Sequence, residues 1–173
     1  MSNESVIIKS MDINQLREML QKSGYRSTDA EHNGAIQLLS GTQGIGFTLR
    51  LGNPAGEEGQ VLDFVLSCAL RVQGELPAAL VYEWNSQKRF ARLSPVNDFL
   101  VLEMDVVVAG GVSERYLQAN MELWDRLVQD YVLFLRNFAL KNSQVSAPEL
   151  STAEPEPTAA DQLEDDAPLE QQA

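Results

Sequence analysis

Few side chains in this sequence can do covalent or metal chemistry, and none stands in a pattern that completes a site. His32 is the only histidine, and it sits beside Asn33-Gly34 in a polar stretch. A zinc site needs three or four His, Cys or carboxylate ligands brought together, and no second histidine or cysteine lies near it. His32 therefore reads as a solvated turn residue. Cys68 is the only cysteine and lies in the apolar run from Leu62 to Leu70, where a thiol behaves as a small core residue. The glycines of Gly41-Thr42-Gln43-Gly44-Ile45-Gly46 suggest a phosphate cradle. Such a loop needs a Lys and a Ser or Thr opening a helix, and here a strand-like stretch follows. Glu103 and Asp105 share one face of a strand, and paired carboxylates can act as acid and base when their environments split their pKa values. Nothing else catalytic is tied to them, so they are expected to face water or to pair with a base such as Arg71 on a neighbouring strand. No catalytic, cofactor-binding or metal-binding residue is expected.

The elements that would carry these residues read as a small α+β domain. Asp12 opens a helix, with Gln15 placed to complete a capping box and Ile13, Leu16, Met19 and Leu20 at helical spacing. Gly24 ends it. Tyr25 to Glu31 reads as a polar edge strand, and Asn33-Gly34 is a hairpin signal because both residues accept positive φ. Ala35 to Leu39 returns, and Gly41, Gly44 and Gly46 punctuate a turn. Ile45, Phe47, Leu49 and Leu51 then alternate with smaller or polar residues at period two. A turn-rich loop at 52–60 leads into Val61–Val72. There one face is fully apolar and the other mixed, as in a central antiparallel strand covered on one side by helices. Pro77 suits the start of a helix over Ala78–Lys88. Phe90–Leu93 and Phe99–Val108 read as a hairpin turning across Ser94–Asp98. Ser113 caps the longest helix, whose stripe runs through Leu117, Met121, Trp124, Leu127, Val128, Tyr131, Leu135 and Phe138. Trp84 and Trp124 are expected in the core. Leu123, Leu133 and Phe134 fall outside the stripe and are candidate partner contacts.

Charge divides the chain. The 173 residues carry a net charge of −12. From Ser143 onward there are eight acidic residues and no Lys or Arg, which leaves 17 acids against 13 bases in residues 1–142. Four of the seven prolines lie in the same stretch. It has too little apolar surface to offset its ordering entropy, so residues 143–173 are expected as a disordered acidic tail. Residues 1–10 are expected as a flexible leader and 11–142 as the folded domain. The absence of a basic patch argues against nucleic acid and against an anionic membrane surface. The N-terminus lacks the basic start and apolar run of a signal peptide, and a lone cysteine points to no disulfide. The expected location is the cytoplasm.

One ordered set of residues is familiar. Trp84-Asn85, then Arg89-Phe90-Ala91, then Leu102-Glu103-Met104-Asp105-Val106, Gly110-Gly111-Val112-Ser113, Leu117 and Leu123-Trp124 together resemble the YbjN-type family of bacterial sensory transduction regulators, over roughly residues 11–140. The resemblance implies a fold like that of type III secretion chaperones, a twisted antiparallel sheet covered by helices, often paired as dimers. It also implies a regulatory role without enzymatic activity, and it carries over no active-site residues. The expectation is a non-enzymatic, chaperone-like binding module that takes a protein partner through a groove or sheet edge and forms a homodimer. The alternative is a small-molecule sensor or enzyme with a pocket between sheet and helices.

Overall fold

The computed structural model describes residues 6–145. The chain runs through β1 (Ile7–Ile8), α1 (Ile13–Lys22), β2 (Thr28–His32), β3 (Ala35–Thr42), β4 (Ile45–Leu51), β5 (Asp63–Arg71), α2 (Ala78–Gln87), β6 (Arg92–Val96), β7 (Phe99–Val107), β8 (Val112–Ser113) and α3 (Glu114–Val145). Six strands form one antiparallel sheet in the order β2-β3-β4-β5-β7-β6. The architecture is α+β, with the sheet covered by helices and a long C-terminal helix.

Local chemistry sets the elements. Asp12 accepts from the Gln15 backbone at 2.9 Å while the Gln15 side chain accepts from Asp12 N at 2.9 Å, the reciprocal capping box that the spacing predicts. Asn33 and Gly34 both take positive φ, 53° and 77°, in a two-residue hairpin turn. β5 lies at the centre and shares its longest ladder with β7. Phe64, Leu66 and Cys68 on β5, and Leu100, Leu102, Met104 and Val106 on β7, are buried on the same face. They pack with Leu16 and Leu20 of α1, Leu80 and Trp84 of α2, and Leu117, Met121, Trp124, Val128 and Tyr131 of α3 in a single core. Ser113 Oγ accepts from Tyr116 N at 3.2 Å and starts α3. Burial pushes the Cys68 thiol up to about 11, as the core reading requires.

Several boundaries differ from expectation. The second hairpin turns at Gln43-Gly44, both at positive φ, while Gly41 and Gly46 face each other inside the ladder. The third turns at Asn97-Asp98, with Val96 paired to Phe99, so Ser94, Pro95 and Val96 belong to β6. Pro95 is tolerated there because β6 is an edge strand, where a missing N–H breaks no ladder bond. Ile7 and Ile8, in the stretch expected as a leader, pair with Ser113 and Val112. α3 continues through Val145; the rest of the expected acidic tail lies outside the described residues.

Candidate functional site

The carboxylates singled out in the sequence lie on the sheet face opposite the core. There Arg50 and Arg92 both bond to Glu103, and Arg92 also reaches Asp105 at 3.0 Å. Arg71, the base expected beside them, instead lies 3.8 Å from Asp98. The Glu103 hydrogen bond and the Asp105 charge hold the Arg92 guanidinium above its ordinary value. Two carboxylates are thus engaged as ion-pair acceptors by two guanidiniums. This cluster is a structural clamp across β4, β7 and β6. His32 ends β2, exposed and paired to Ala35. Among the described residues, no three His, Cys, Asp or Glu side chains are grouped so as to hold a metal.

The concave features lie along α3. A cavity between β1, α1 and α3, lined in part by Met11, Met19 and Leu117, holds only about 70 Å³, room for a few waters. A polar hollow of about 660 Å³ is lined by Ser23, Tyr25, Met121, Asp125 and Arg126. Its floor is fixed by Thr42 donating to Asp125 and by Gln129 donating to Asp125 at 2.8 Å. Burial, followed by the Asp125 charge, raises the Tyr25 phenol above its ordinary value.

The third feature is an apolar groove of about 660 Å³ between the segment following α2 and the side of α3. Its walls include Phe90, Ala119, Leu123 and Leu127, and its lining also takes in Lys88, Arg89, Arg126 and Asp130. How the sequence builds it can be followed bond by bond. At the end of α2, Trp84 Nε1 donates to Ala91 O at 3.1 Å. Next to it, the Asn85 amide both donates to Leu93 O and accepts from Leu93 N, each at 2.9 Å. This Trp-Asn pair clamps residues 91–93 onto the helix, and the three residues between must loop out. Phe90 takes the strain, with φ 74° and 64% of its surface exposed. A non-glycine residue in that region costs about 1–2 kcal/mol, and an exposed aromatic ring gains little in return from packing.

The charges around this groove are arranged unevenly. Lys88 is occupied by Asp130 at 3.1 Å. The Arg89 guanidinium lies 5.0 Å from the centre of the Phe90 ring, a cation–π contact. Neither Arg89 nor Arg126 has a carboxylate partner among the described residues, although the chain is strongly acidic overall. The groove thus offers an apolar floor and two unpaired guanidiniums.

The three residues proposed from the sequence as partner contacts are not placed together. Leu123 lines the groove. Phe134, three turns further along the same side of α3, is half-buried and stacks edge-on to Trp84 with ring centres 5.3 Å apart. α2 therefore packs against this flank of α3 from within the chain. Leu133 lies about 100° around the helix and is 52% exposed. Phe90, Arg89 and Arg126 were not singled out as a site. The first two stood in the Arg-Phe motif quoted for the family, but only the clamp shows that the motif throws an aromatic ring outward.

Comparison with known proteins gives one finding. A family model, YbjN, described as "Putative bacterial sensory transduction regulator", matches residues 12–137. No curated protein and no solved structure matches the chain.

Proposed function

The chain belongs to the YbjN family, and from that membership together with the Phe90 groove we propose that it is a non-enzymatic regulatory module that holds a protein segment. The mode is chaperone-like: capture of a segment without chemistry on it. The occupant is an extended or helical peptide with apolar side chains flanked by carboxylates. The observation that carries this reading is the pairing of an outward, strained Phe90 with two arginines that have no carboxylate partner among the described residues. Apolar side chains of the segment would cover Phe90, Leu123 and Leu127, and its carboxylates would meet Arg89 and Arg126. Arg and aromatic residues are the types that most often dominate interaction energies. The alternative of a small-molecule pocket between sheet and helices is less well supported: the cavity beneath α1 is far smaller than the roughly 300–1,000 Å³ of ordinary ligand sites, and the hollow beside Asp125, though about 660 Å³, is lined mostly by polar and charged side chains where such sites are mostly apolar.

Two further parts belong to the same reading. The module acts in the cytoplasm; no helix among the described residues is long and apolar enough to cross a membrane. It works as a homodimer, with Leu133 and Leu140, seven residues apart on the outer side of α3 and both exposed, as the self-complementary contact. A scattering mass of two chains, reduced to one by Leu133→Glu with Leu140→Glu, is the expected result. A single-chain mass at tens of micromolar removes the dimer.

The groove is tested by placing a photoreactive benzoylphenylalanine at position 90 of the full chain and irradiating bacterial cells that express it. The adducts are expected to map to segments rich in Asp, Glu and Leu, and to be lost when Arg89→Glu and Arg126→Glu are introduced. Adducts to basic or neutral segments, or adducts indifferent to the charge reversals, overturn the proposal.

A further inference from the structure

The groove selects an occupant that is apolar and acidic, and the same chain contains such a segment. Residues 161–170 read Asp-Gln-Leu-Glu-Asp-Asp-Ala-Pro-Leu-Glu, with Leu163 and Leu169 bracketing the carboxylates of Glu164, Asp165 and Asp166. From Ser143 onward there is no Lys or Arg, so these acids have no basic partner in their own stretch. Resting on the groove reading above, we propose that residues 161–170 occupy the Phe90 groove of their own chain and compete there with the protein's external partner. Leu163 or Leu169 would lie against Phe90, Leu123 and Leu127, and the acids between them would face Arg89 and Arg126.

Reach permits this. α3 is described to Val145, and Arg126 lies nineteen residues back along it, roughly 28 Å at 1.5 Å per residue. The sixteen residues from Val145 to Asp161 can span up to roughly 50 Å when extended. A tethered segment of that length is present at an effective concentration of order millimolar. Even a weak contact then keeps the groove largely filled, and a partner must out-compete it. The arrangement accounts for two features that folding alone leaves without a use: an exposed aromatic held at a strained backbone position, and two arginines with no carboxylate partner among the described residues of a chain of net charge −12.

The purified full chain carrying benzoylphenylalanine at position 90 is irradiated at low concentration. The expected product is an adduct to residues 161–170, at the mass of one chain and in a yield unchanged by tenfold dilution. Glu164→Lys, Asp165→Lys and Asp166→Lys together should remove it, and adding Arg89→Glu and Arg126→Glu to those changes should restore it. No adduct to this segment, or an adduct that survives the three lysines, overturns the inference. So does an adduct of two-chain mass that fades on dilution, which places the segment on another copy. The groove reading stands or falls separately. If the same probe in cells still captures acidic segments of other proteins while the purified chain gives no internal adduct, only the self-occupancy is lost.

Discussion

Replacing Phe90 with glycine separates a residue kept for binding from one kept for folding. Phe90 sits at φ 74°, a region that costs a side-chain-bearing residue about 1–2 kcal/mol and costs glycine almost nothing. Against that relief stand about 0.5–1 kcal/mol for the greater freedom of glycine in the unfolded chain. The contact with the Arg89 guanidinium is also lost, worth about 0.5–1 kcal/mol at an exposed site. Little packing is lost with it, because 64% of the residue faces solvent. The net change in stability should lie within about 1 kcal/mol of zero, compared with about 3–5 kcal/mol for truncating a buried aromatic ring. Phe90→Ala keeps the strain without the ring and should be less stable than Phe90→Gly. Urea unfolding followed by helical circular dichroism measures both. A loss above about 2 kcal/mol for Phe90→Gly, or greater stability for Phe90→Ala than for Phe90→Gly, would refute the claim that the backbone is strained to present the ring.

Other expectations follow from single contacts. Trp84→Phe should cost about 1–3 kcal/mol more than Trp124→Phe, since both are fully buried and lose the same atoms, but only Trp84 gives up a hydrogen bond, to Ala91 O; equal losses by chemical denaturation would contradict this. Gly52→Ala should destabilise severely or prevent folding, because an added Cβ would lie 1.8 Å from Asp63 Oδ1 and 2.8 Å from its backbone oxygen; near-native melting would show that the 52–63 turn can shift. Burial raises the Cys68 thiol to about 11 and also raises the Tyr131 phenol. The unfolded chain therefore releases these protons at lower pH than the folded one, and stability should fall as pH rises from about 9 to 11, with a shallower fall in Cys68→Ala.

The parts legible in the sequence are those set by neighbours a few residues apart. The Asp12 capping box, the Asn33-Gly34 turn and the Ser113 cap each depend on chemistry within four residues. The alternating faces of β5 and β7 follow from a two-residue period that burial on one side enforces. Pro95 misled because proline marks turns in general, and only the position of β6 at the sheet edge makes it harmless within a strand. The partners of Glu103 were missed for a similar reason, since strand order decides which arginine lies alongside and sequence spacing does not. The groove was least legible. It depends on a clamp between Trp84-Asn85 and Ala91–Leu93 that turns Phe90 outward, and on α3 passing beside that bulge, and neither is written in any one segment. Leu123, Leu133 and Phe134 were grouped because all leave the main stripe. The helix turns Leu133 about 100° away from the side that Leu123 and Phe134 share, and Trp84 packs against Phe134 from within the chain.

The central claim is that Phe90, Leu123, Arg89 and Arg126 receive an acidic, apolar segment. Its most direct measurement is fluorescence anisotropy with a labelled synthetic peptide of residues 161–170. The peptide is titrated with full chain in which Glu164, Asp165 and Asp166 are lysines, so that its own segment leaves the groove open. Saturable binding is expected, about five- to thirtyfold weaker when Arg89→Glu and Arg126→Glu are added, because two reversed surface pairs are worth roughly 1–2 kcal/mol and 1.4 kcal/mol is a factor of ten. Undiminished affinity after both reversals, or no binding to the open chain, would contradict the account.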